Sequence, residues 1–493
     1  MLQKVGLPPL SDGALLKTEA YIGGAWLSAA ARTRFAVTNP ADGIEIAKVA
    51  NCKAPEVQQA IDAAQKALPG WRARNAKERA AVMRRWFDLI IAHQEDLAKL
   101  MTAEQGKPLT ESRGEITYGA SFVEWFAEEA KRVYGDMIPT TADDKRLMVW
   151  KEPIGVAAAI TPWNFPIAMI TRKVAPAIAA GCTVIVKPAE QTPLCALALA
   201  ELAHRAGLPP GVFNVVPADE TNSIAVGKLL CESPVVRKLS FTGSTAVGRI
   251  LMQQSASTLK KLSLELGGNA PFIVFDDAAI DAAVDGAVAS KYRNAGQTCV
   301  CTNRFYVHTK IYDEFVHKFA AKAAQLIVGS GFDPGVQQGP LIDTNALKKV
   351  EQHVADAKNL GAKVITGGER HALGGTFYQP TVLADATDKM VLTREETFGP
   401  VAPVFRFLRD EEAIAAANAT EFGLAAYFYS RDVARVFRVA EALEYGIVGV
   451  NTGLMSNEVA PFGGIKQSGF GREGSKYGIE EYLVTKYVCV GGI

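Results

Sequence analysis

The sequence lacks the segments that would direct it to a membrane or to secretion. No basic stretch followed by an apolar one opens the chain, and no run approaches the ~18 apolar residues that a membrane span needs. Lys and Arg total 53 against 52 for Asp and Glu, so no net charge attracts nucleic acid or an anionic membrane. We therefore expect a cytoplasmic protein with no nucleic-acid or membrane partner.

Patterns that bind metals are missing as well. The six histidines form neither an H-x-x-x-H pair nor a Cys/His cluster with metal spacing, so we expect no metal. The seven cysteines are odd in number and widely scattered, which favours reduced thiols over a disulfide framework. Only Cys299 and Cys301 lie close together in the sequence.

The length and the order of segments predict an α/β protein with more than one domain. A chain of 493 residues is too long for one hydrophobic core. Helical periodicity covers residues 55–134, and short apolar runs alternate with helical stretches over 155–270 and again after Pro271. Residues 136–150 break this pattern as an extended arm would. The last stretch alternates like an edge strand, which pairs with the arm or with another subunit.

Three segments carry side chains that suit catalysis. Cys299 lies in a turn after a predicted helix over 278–296 and before a strand, where nucleophiles tend to sit. Glu265 ends an apolar strand just before two glycines, which allow a ligand or another backbone to come close. Asn164, in the rigid turn TPWNFP, offers the side-chain amide that an oxyanion hole requires. Each has a structural explanation when taken alone, but together they predict a site.

Two turns that contain glycine lead to different predictions. Gly243 follows an apolar strand and precedes a helix, so the N–H groups after it suit a pyrophosphate at a helix N-terminus. The segment from Gly469 to Gly474 fits the G-x-G-x-x-G pattern, but it does not close a predicted strand and the chain ends before a βαβ unit could follow. We interpret this second segment as a glycine-rich loop near the site.

Seven motifs resemble those of the aldehyde dehydrogenase superfamily and follow one another in that family's order. They are TPWNFP, VKPAE, FTGST, LELGG, GQTCVC, EETFGP and PFGGIKQSGFGREG. The resemblance implies an α/β fold with a Rossmann-like cofactor domain (1–130 and 151–262), a second α/β catalytic domain (263–474) and a small β oligomerisation arm (131–150 and 475–493). A homo-oligomer, either dimer or tetramer, is expected with it.

The resemblance also implies a role for each catalytic residue. Cys299 would attack an aldehyde carbonyl and form a thiohemiacetal, whose oxyanion Asn164 and the Cys299 N–H group would bind. Loss of a hydride to the nicotinamide would leave a thioester, and Glu265 would deprotonate the water that hydrolyses it. A free cysteine is only a few per cent thiolate at neutral pH, and the sequence does not show what activates Cys299.

A nicotinamide dinucleotide is the cofactor that the resemblance implies. The matching residues are Trp163, Lys187, Glu190, Thr242, Gly243, Ser244, Glu396 and Phe398. Lys187 and Glu190 match contacts to the adenosine ribose, and Glu396 and Phe398 match contacts to the nicotinamide ribose and ring. The Glu190 carboxylate can accept bonds from ribose hydroxyls but would repel a 2′-phosphate. NAD is therefore the expected cofactor, with NADP as the alternative.

The substrate class follows from two arginines and a serine. Arg172, Arg293 and Ser456 stand in segments similar to those of the succinate-semialdehyde dehydrogenase branch, where the matching residues bind the distal carboxylate. Such a carboxylate would give both arginines charge-assisted bonds, whereas an apolar aldehyde would leave them unpaired. The branch implies oxidation of succinate semialdehyde to succinate. Glutarate semialdehyde stays open, because one methylene is worth only ~1–3 kcal/mol of discrimination.

Other classes of function compete with this one. A cysteine hydrolase or acyltransferase also needs a nucleophile and a base, but no histidine lies in any of the motifs. An enzyme that passes the acyl group to CoA would not need Glu265 for water, and a non-catalytic descendant would not keep the whole set. Cys301 adds a redox alternative. Two residues span at most ~7 Å, so a bent loop could join Cys301 to Cys299 in a disulfide.

Overall fold

The computed structural model of the chain describes residues 6–492. Its first part consists of two hairpins followed by helices, which confirms the helical pattern predicted over 55–134. Pro55 lies in the first turn of the first helix, and Glu56 accepts a hydrogen bond from Lys53 N at 2.8 Å. The elements are β1 (Ala20–Ile22), β2 (Ala25–Leu27), β3 (Arg34–Thr38), β4 (Glu45–Ala50), α1 (Ala54–Arg72), α2 (Ala76–Ala92), α3 (Gln94–Gln105) and α4 (Leu109–Glu129).

The next part is an extended arm and then an alternation of strands and helices. The bounds are β5 (Asp136–Ile138), β6 (Lys145–Pro153), β7 (Val156–Ile160), α5 (Pro166–Ala180), β8 (Thr183–Lys187), α6 (Pro193–Arg205), β9 (Phe213–Val215), α7 (Glu220–Glu232), β10 (Val236–Thr242), α8 (Thr245–Ser255) and β11 (Lys261–Glu265). Helix α5 begins at a proline and ends at Gly181, which has a left-handed φ of 98°.

The last part repeats the alternation and then returns to the arm. The bounds are β12 (Ala270–Val274), α9 (Ile280–Tyr292), β13 (Thr302–His308), α10 (Tyr312–Ala324), α11 (Thr344–Asn359), β14 (Lys363–Thr366), β15 (Thr381–Ala384), β16 (Val401–Phe407), α12 (Asp410–Asn418), β17 (Phe422–Gly423), β18 (Ala425–Tyr429), α13 (Val433–Ala442), β19 (Ile447–Val450), β20 (Ile465–Lys466), β21 (Gly469–Phe470), α14 (Ser475–Glu480) and β22 (Leu483–Gly491).

The first sheet is doubly wound. Its order is β2-β1-β9-β8-β7-β10-β11-β21, with parallel pairing from β9 to β11. Alternate residues of β8 enter two different hydrophobic clusters, one on each face, so this strand is an unbroken buried run. The strand order reverses between β7 and β10. The loops after these two strands therefore open a crevice at the carboxyl edge of the sheet.

The second sheet has the order β14-β15-β16-β13-β12-β18-β19 and is parallel except for β14. Parallel strands begin at the same edge of a sheet. The segments just before β12, β13 and β16 therefore lie together, and they carry Gly268, Cys299 and Phe398. Residues 266–269 lead directly from the carboxyl end of β11 to the amino end of β12, which brings the two edges face to face.

The arm is a separate sheet of three strands, in the order β22-β6-β5. The C-terminal strand β22 pairs with β6 from Leu483 opposite Pro153 to Gly491 opposite Lys145. The alternating last stretch therefore pairs with the arm of its own chain and forms one edge of that sheet. Large apolar side chains remain exposed on the arm, among them Met137, Trp150 and Tyr487.

Two predicted boundaries differ from the structure. The helix predicted over 278–296 ends at Tyr292, because Asn294 and Ala295 take left-handed φ values of 51° and 54° in an irregular turn. The predicted division at residue 262 cuts strand β11, which belongs to the first sheet up to Glu265. Strand β21, near the end of the chain, returns to the first sheet as well. The assignment of the two parts as cofactor and catalytic domains stays a prediction.

The sequence predicts that membrane spans, metal sites and disulfides are absent. None of the helices between residues 6 and 492 is both long enough and apolar enough to cross a membrane. Within the same range, no group of three or more His, Cys, Asp or Glu side chains is arranged to hold a metal ion. The seven cysteines are free thiols.

Two glycines of α4 provide a test of how closely this helix packs on α5. A Cβ atom at Gly119 would lie 2.7 Å from Ile167 Cγ2, whereas one at Gly114 would meet nothing within 4 Å. Gly114→Ala should stabilise the protein by about 0.5–1 kcal/mol through helix propensity. Gly119→Ala should destabilise it by about 1–3 kcal/mol through overpacking. Thermal unfolding of both variants measures this, and equal stability of the two would contradict the close crossing.

Candidate active site

Two cavities meet at Cys299. The larger cavity, of about 270 Å³, occupies the crevice at the carboxyl edge of the first sheet and is lined by Pro162, Trp163, Asn164, Thr242, Gly243, Ser244, Leu266, Gly267, Cys299, Lys349, Glu396 and Phe398. The smaller cavity is lined by Tyr118, Phe165, Met169, Arg172, Arg293, Thr298, Cys299, Val300, Ser456 and Phe462. Cys299 therefore lies at the boundary between the two cavities.

The larger cavity contains most of the residues predicted to bind a cofactor. The edge of the Trp163 ring meets Phe398 with a centroid distance of 5.5 Å and an interplanar angle of 87°. Ser244 caps helix α8 and accepts a hydrogen bond from Val247 N at 3.3 Å, so the N-terminus of α8 opens toward the cavity. Lys349 also lines this cavity and was not predicted, because a single charged residue in a helix gives no local signal.

Lys187 and Glu190 lie outside the larger cavity. Lys187 Nζ is 3.3 Å from Glu190 Oε2, and Glu190 lines a separate cavity of about 320 Å³ beside Thr38 and Asp219. Lys187 ends β8, the neighbour of β7 in the first sheet, and its carbonyl accepts from Thr161 N at 3.1 Å. The two residues therefore lie along the same sheet edge but farther out, where the far end of an extended dinucleotide would reach.

The turn that carries Cys299 is packed directly on the connection between the two sheets. A Cβ atom at Gly268 would lie 2.7 Å from the carbonyl oxygen of Cys299, so only glycine fits without a shift. Gly268 N also donates to Glu396 Oε1 at 3.4 Å. The two glycines after Glu265 were expected to allow a close backbone approach. At Gly268, the backbone that comes close is the turn that carries Cys299.

The electrostatic surroundings of Cys299 do not favour its thiolate. Burial raises the pKa of the thiol to about 12, and Glu396 and Glu265 add to this effect. Arg172 and Arg293 act in the opposite direction. The preceding helix α9 ends seven positions earlier, at Tyr292, so burial rather than the helix dipole is the main obstacle to the thiolate.

Glu265 is a buried carboxyl group with no hydrogen-bond partner among residues 6–492. Burial raises its pKa well above the ordinary value, and the neighbouring carboxylate of Glu473 raises it further. Glu473 itself is buried, but Lys173 and Arg172 hold its pKa below the ordinary value. A buried carboxyl group without a partner is costly, which is typical of a functional group rather than a structural one.

Asn164 lines the larger cavity together with Cys299 and is 4% exposed. Its Nδ2 atom donates to Gln297 O at 3.4 Å, and its Oδ1 atom accepts from Phe165 N at 3.1 Å. Within the described residues, the Asn164 amide nitrogen donates only this one long hydrogen bond. The amide faces the larger cavity, which Cys299 also lines. The geometry suits an oxyanion hole.

The three residues predicted to bind a carboxylate line the smaller cavity together. Arg172 Nη2 lies 2.7 Å from Glu473 Oε2, so this arginine is ion-paired within the protein, which the sequence analysis did not foresee. Arg293 forms no salt bridge within the described residues, and its guanidinium lies 5.1 Å from the centroid of the Phe165 ring. The free positive charge of the cavity therefore belongs to Arg293. Ser456 completes the polar lining.

Cys301 is buried and its thiol donates to the carbonyls of Lys291 and Thr302, both at 3.5 Å. A disulfide with Cys299 would require this thiol to leave both carbonyl groups. The redox pair stays a prediction.

Two further charged residues of the site were missed by the sequence argument. Lys173 Nζ donates to Thr242 Oγ1 at 2.6 Å and pairs with Glu473, which lies 300 positions later in the glycine-rich segment 469–474. The sequence contained only part of the information needed to predict this pair. Arg172 and Lys173 interrupt an otherwise apolar helix and so must have partners, yet nothing local identifies Glu473 as their partner. The segment 469–474 does lie near the site, since Gly469 pairs with Glu265.

Comparison with known proteins places these features in a family. The model of the aldehyde dehydrogenase family matches residues 26–488. Glutarate-semialdehyde dehydrogenase of Pseudomonas aeruginosa is 63% identical over 98% of this chain and 100% of that protein. The NADP(+) succinate-semialdehyde dehydrogenase of Escherichia coli is 62% identical over 98% of this chain and 99% of that protein.

A solved structure extends the similarity to the fold. The crystal structure of succinate-semialdehyde dehydrogenase from Burkholderia pseudomallei superimposes with a TM-score of 0.97 at 62% identity, covering 98% of this chain and 100% of that one. The α/β fold that the motifs implied is thereby confirmed. With this agreement over nearly its whole length, the chain belongs to the aldehyde dehydrogenase family.

Proposed function

We propose that this enzyme oxidises an aldehyde with a carboxylate at its far end, succinate semialdehyde in the first place, to the dicarboxylic acid. One observation carries the proposal: Cys299 lies between a cavity lined by residues predicted to bind a cofactor and a small cavity that contains Arg293, which forms no salt bridge within the described residues. The relatives named above support it, since both act on semialdehydes according to their names. Glutarate semialdehyde is the alternative substrate, because the lining residues do not separate the two.

The larger cavity suits the pyrophosphate and nicotinamide part of a dinucleotide. It combines a helix N-terminus for a pyrophosphate, aromatic walls from Trp163 and Phe398, and a carboxylate in Glu396 for ribose hydroxyls. A nicotinamide held by these residues would supply the hydride acceptor and a positive charge that opposes the effect of burial on the Cys299 thiol. We propose NAD rather than NADP, because the Glu190 carboxylate would repel a 2′-phosphate.

Each residue of the site has one part in the reaction. The Cys299 thiolate attacks the aldehyde carbon, and Asn164 and the Cys299 N–H group bind the oxyanion of the thiohemiacetal. After hydride loss, Glu265 removes a proton from the water that attacks the thioester. Burial and the neighbouring Glu473 raise the pKa of Glu265, which makes its carboxylate a stronger base. A hydrolase using a Cys-His pair is disfavoured, since none of the described residues that line the two cavities is a histidine.

The arm provides the surface for assembly. Tyr134, Met137 and Tyr487 are 71%, 69% and 60% exposed, which is unusual for side chains of this size and favours burial by another subunit. We propose a homo-oligomer, a dimer or a homotetramer, that functions in the cytoplasm.

The two half-reactions can be separated by substitution. Cys299→Ala should abolish hydride transfer, because no thiohemiacetal forms. Glu265→Gln should release one equivalent of reduced cofactor per site and then stall at the thioester. Rapid-mixing absorbance measures both, with Cys489→Ala, which removes an exposed thiol of the arm, as the control that keeps full turnover. Steady turnover by the Glu265→Gln variant would refute the role of this base.

Cofactor preference depends on Glu190 in this proposal. The parent enzyme should have a higher kcat/KM with NAD than with NADP, and Glu190→Ser should move the ratio toward NADP by removing the repulsion. Steady-state rates with both cofactors at a fixed aldehyde concentration give the ratio. A preference for NADP in the parent would overturn the choice of NAD, while the assignment of the cavity would stand.

Substrate choice depends on Arg293 more than on Arg172. Arg293→Ala should lower the ratio of kcat/KM for succinate semialdehyde over butanal by roughly 30-fold to 1000-fold, since it leaves the substrate carboxylate unpaired. Arg172→Ala should lower the ratio too, but it should also slow butanal oxidation because it leaves Glu473 with Lys173 alone. If neither variant changes the ratio, the carboxylated substrate class is wrong and the enzyme class remains.

A further inference from the structure

A buried ion pair lies behind the turn that carries Asn164. The Lys107 side chain is fully buried, and its ammonium group lies 2.5 Å from Glu115 Oε2 and 3.9 Å from the centroid of the Phe165 ring. Neither member of the pair lines either of the two cavities. A buried ion pair is costly to desolvate and is often no more stabilising than apolar residues of similar volume. Stability alone is therefore a weak explanation for this pair.

The pair holds the Asn164 turn at two points. Lys107 Nζ donates to the main-chain carbonyl of Asn164 at 2.7 Å. Glu115 Oε1 accepts from Ile167 N at 3.0 Å and from Ala168 N at 3.2 Å, which are free donors of the first turn of α5. The main chain on both sides of Phe165 is thus fixed from within the protein.

The turn that carries Cys299 is attached to the same carbonyl and to the same segment of the chain. Asn294 Nδ2 donates to Asn164 O at 3.0 Å and to Gln297 O at 3.1 Å. Asn294 is itself held by Glu111, which accepts from its N–H group at 2.9 Å, and by Gln105, which donates to its Oδ1 atom at 2.9 Å. Residues 105–115 therefore bind both turns of the catalytic centre.

We infer that Lys107 is a positioning residue for aldehyde oxidation, which acts with Glu115 through the main chain of Asn164. The pair sets the distance between the Asn164 amide and Cys299, so that the amide meets the oxyanion when it forms. The inference rests on the proposed function, because it requires Asn164 to bind that oxyanion. Positioning of this kind is sensitive, since a displacement of about 1 Å can lower a rate by about 100-fold.

The test is a double-mutant cycle between Lys107 and Asn164. The measured quantity is the rate constant of the first burst of reduced cofactor with butanal, which does not use the arginines. Lys107→Met should slow the burst by about 10-fold to 100-fold, with little change in the butanal concentration for half saturation. Asn164→Ala should slow it by about 100-fold to 1000-fold. In the Asn164→Ala background, Lys107→Met should cost less than about 3-fold, because its effect passes through the missing amide.

Two outcomes of the cycle distinguish the inference from the proposed function. An equal cost of Lys107→Met in both backgrounds would show that Lys107 acts elsewhere and would overturn the inference. A parent-like burst in Asn164→Ala alone would instead remove the oxyanion role of Asn164, and the inference with it.

Two variants separate positioning from folding. Lys260 is another buried lysine, whose Nζ donates to the main-chain carbonyls of Leu230, Ser233 and Val236 at 2.9–3.2 Å. Lys260→Met should lower the unfolding temperature and keep the parent burst. The double variant Lys107→Met/Glu115→Gln carries no unpaired buried charge, so it should fold where the single variant does not and should still give the slow burst. A parent burst rate in this double variant would overturn the inference.

Discussion

The site depends on one backbone contact, between Gly268 and the carbonyl group of Cys299. Residues 266–269 join the carboxyl end of β11 to the amino end of β12, and a Cβ atom at Gly268 would lie 2.7 Å from that oxygen. A larger residue would push the turn of Cys299 away from the first sheet and widen the crevice. The same connection follows directly on Glu265 and contacts Glu396, to which Gly268 N donates at 3.4 Å. Glu265, Cys299 and Glu396, which are proposed as base, nucleophile and cofactor contact, thus all adjoin residues 266–269.

The charges beside this contact are paired among protein groups. Lys173 and Arg172 contact Glu473 and keep its pKa low, while burial and the neighbouring Glu473 raise the pKa of Glu265. The pKa values of two nearby carboxyl groups that share the same cations move apart in this way, because ionising both is costly. The two carboxyl groups therefore have different acidities, and such a difference is what lets one of a pair act as proton acceptor.

The site residues that could be predicted are those that their immediate sequence neighbours mark. The turn at Asn164, the strand end at Glu265 and the turn at Cys299 are each visible within a few residues, because proline, glycine and strand ends mark them. Lys107, Glu115 and Glu473 were not predicted, because their partners are distant in sequence and a buried charge does not reveal its partner. The helix over 278–296 was drawn too long for a related reason. The helix ends before Asn294, which takes a left-handed φ and is held by hydrogen bonds to Glu111 and Gln105, residues far away in the sequence.

The Phe165 ring lies between two cations of the site. Its ring lies 3.9 Å from Lys107 Nζ on one side and 5.1 Å from the Arg293 guanidinium on the other. The residue before it, Asn164, carries the amide proposed for the oxyanion, and the Phe165 ring itself lines the small cavity that contains Arg293. Both cations therefore contact one ring of the Asn164 turn. A shift of Phe165 would displace the proposed oxyanion amide and the lining of the proposed substrate cavity together.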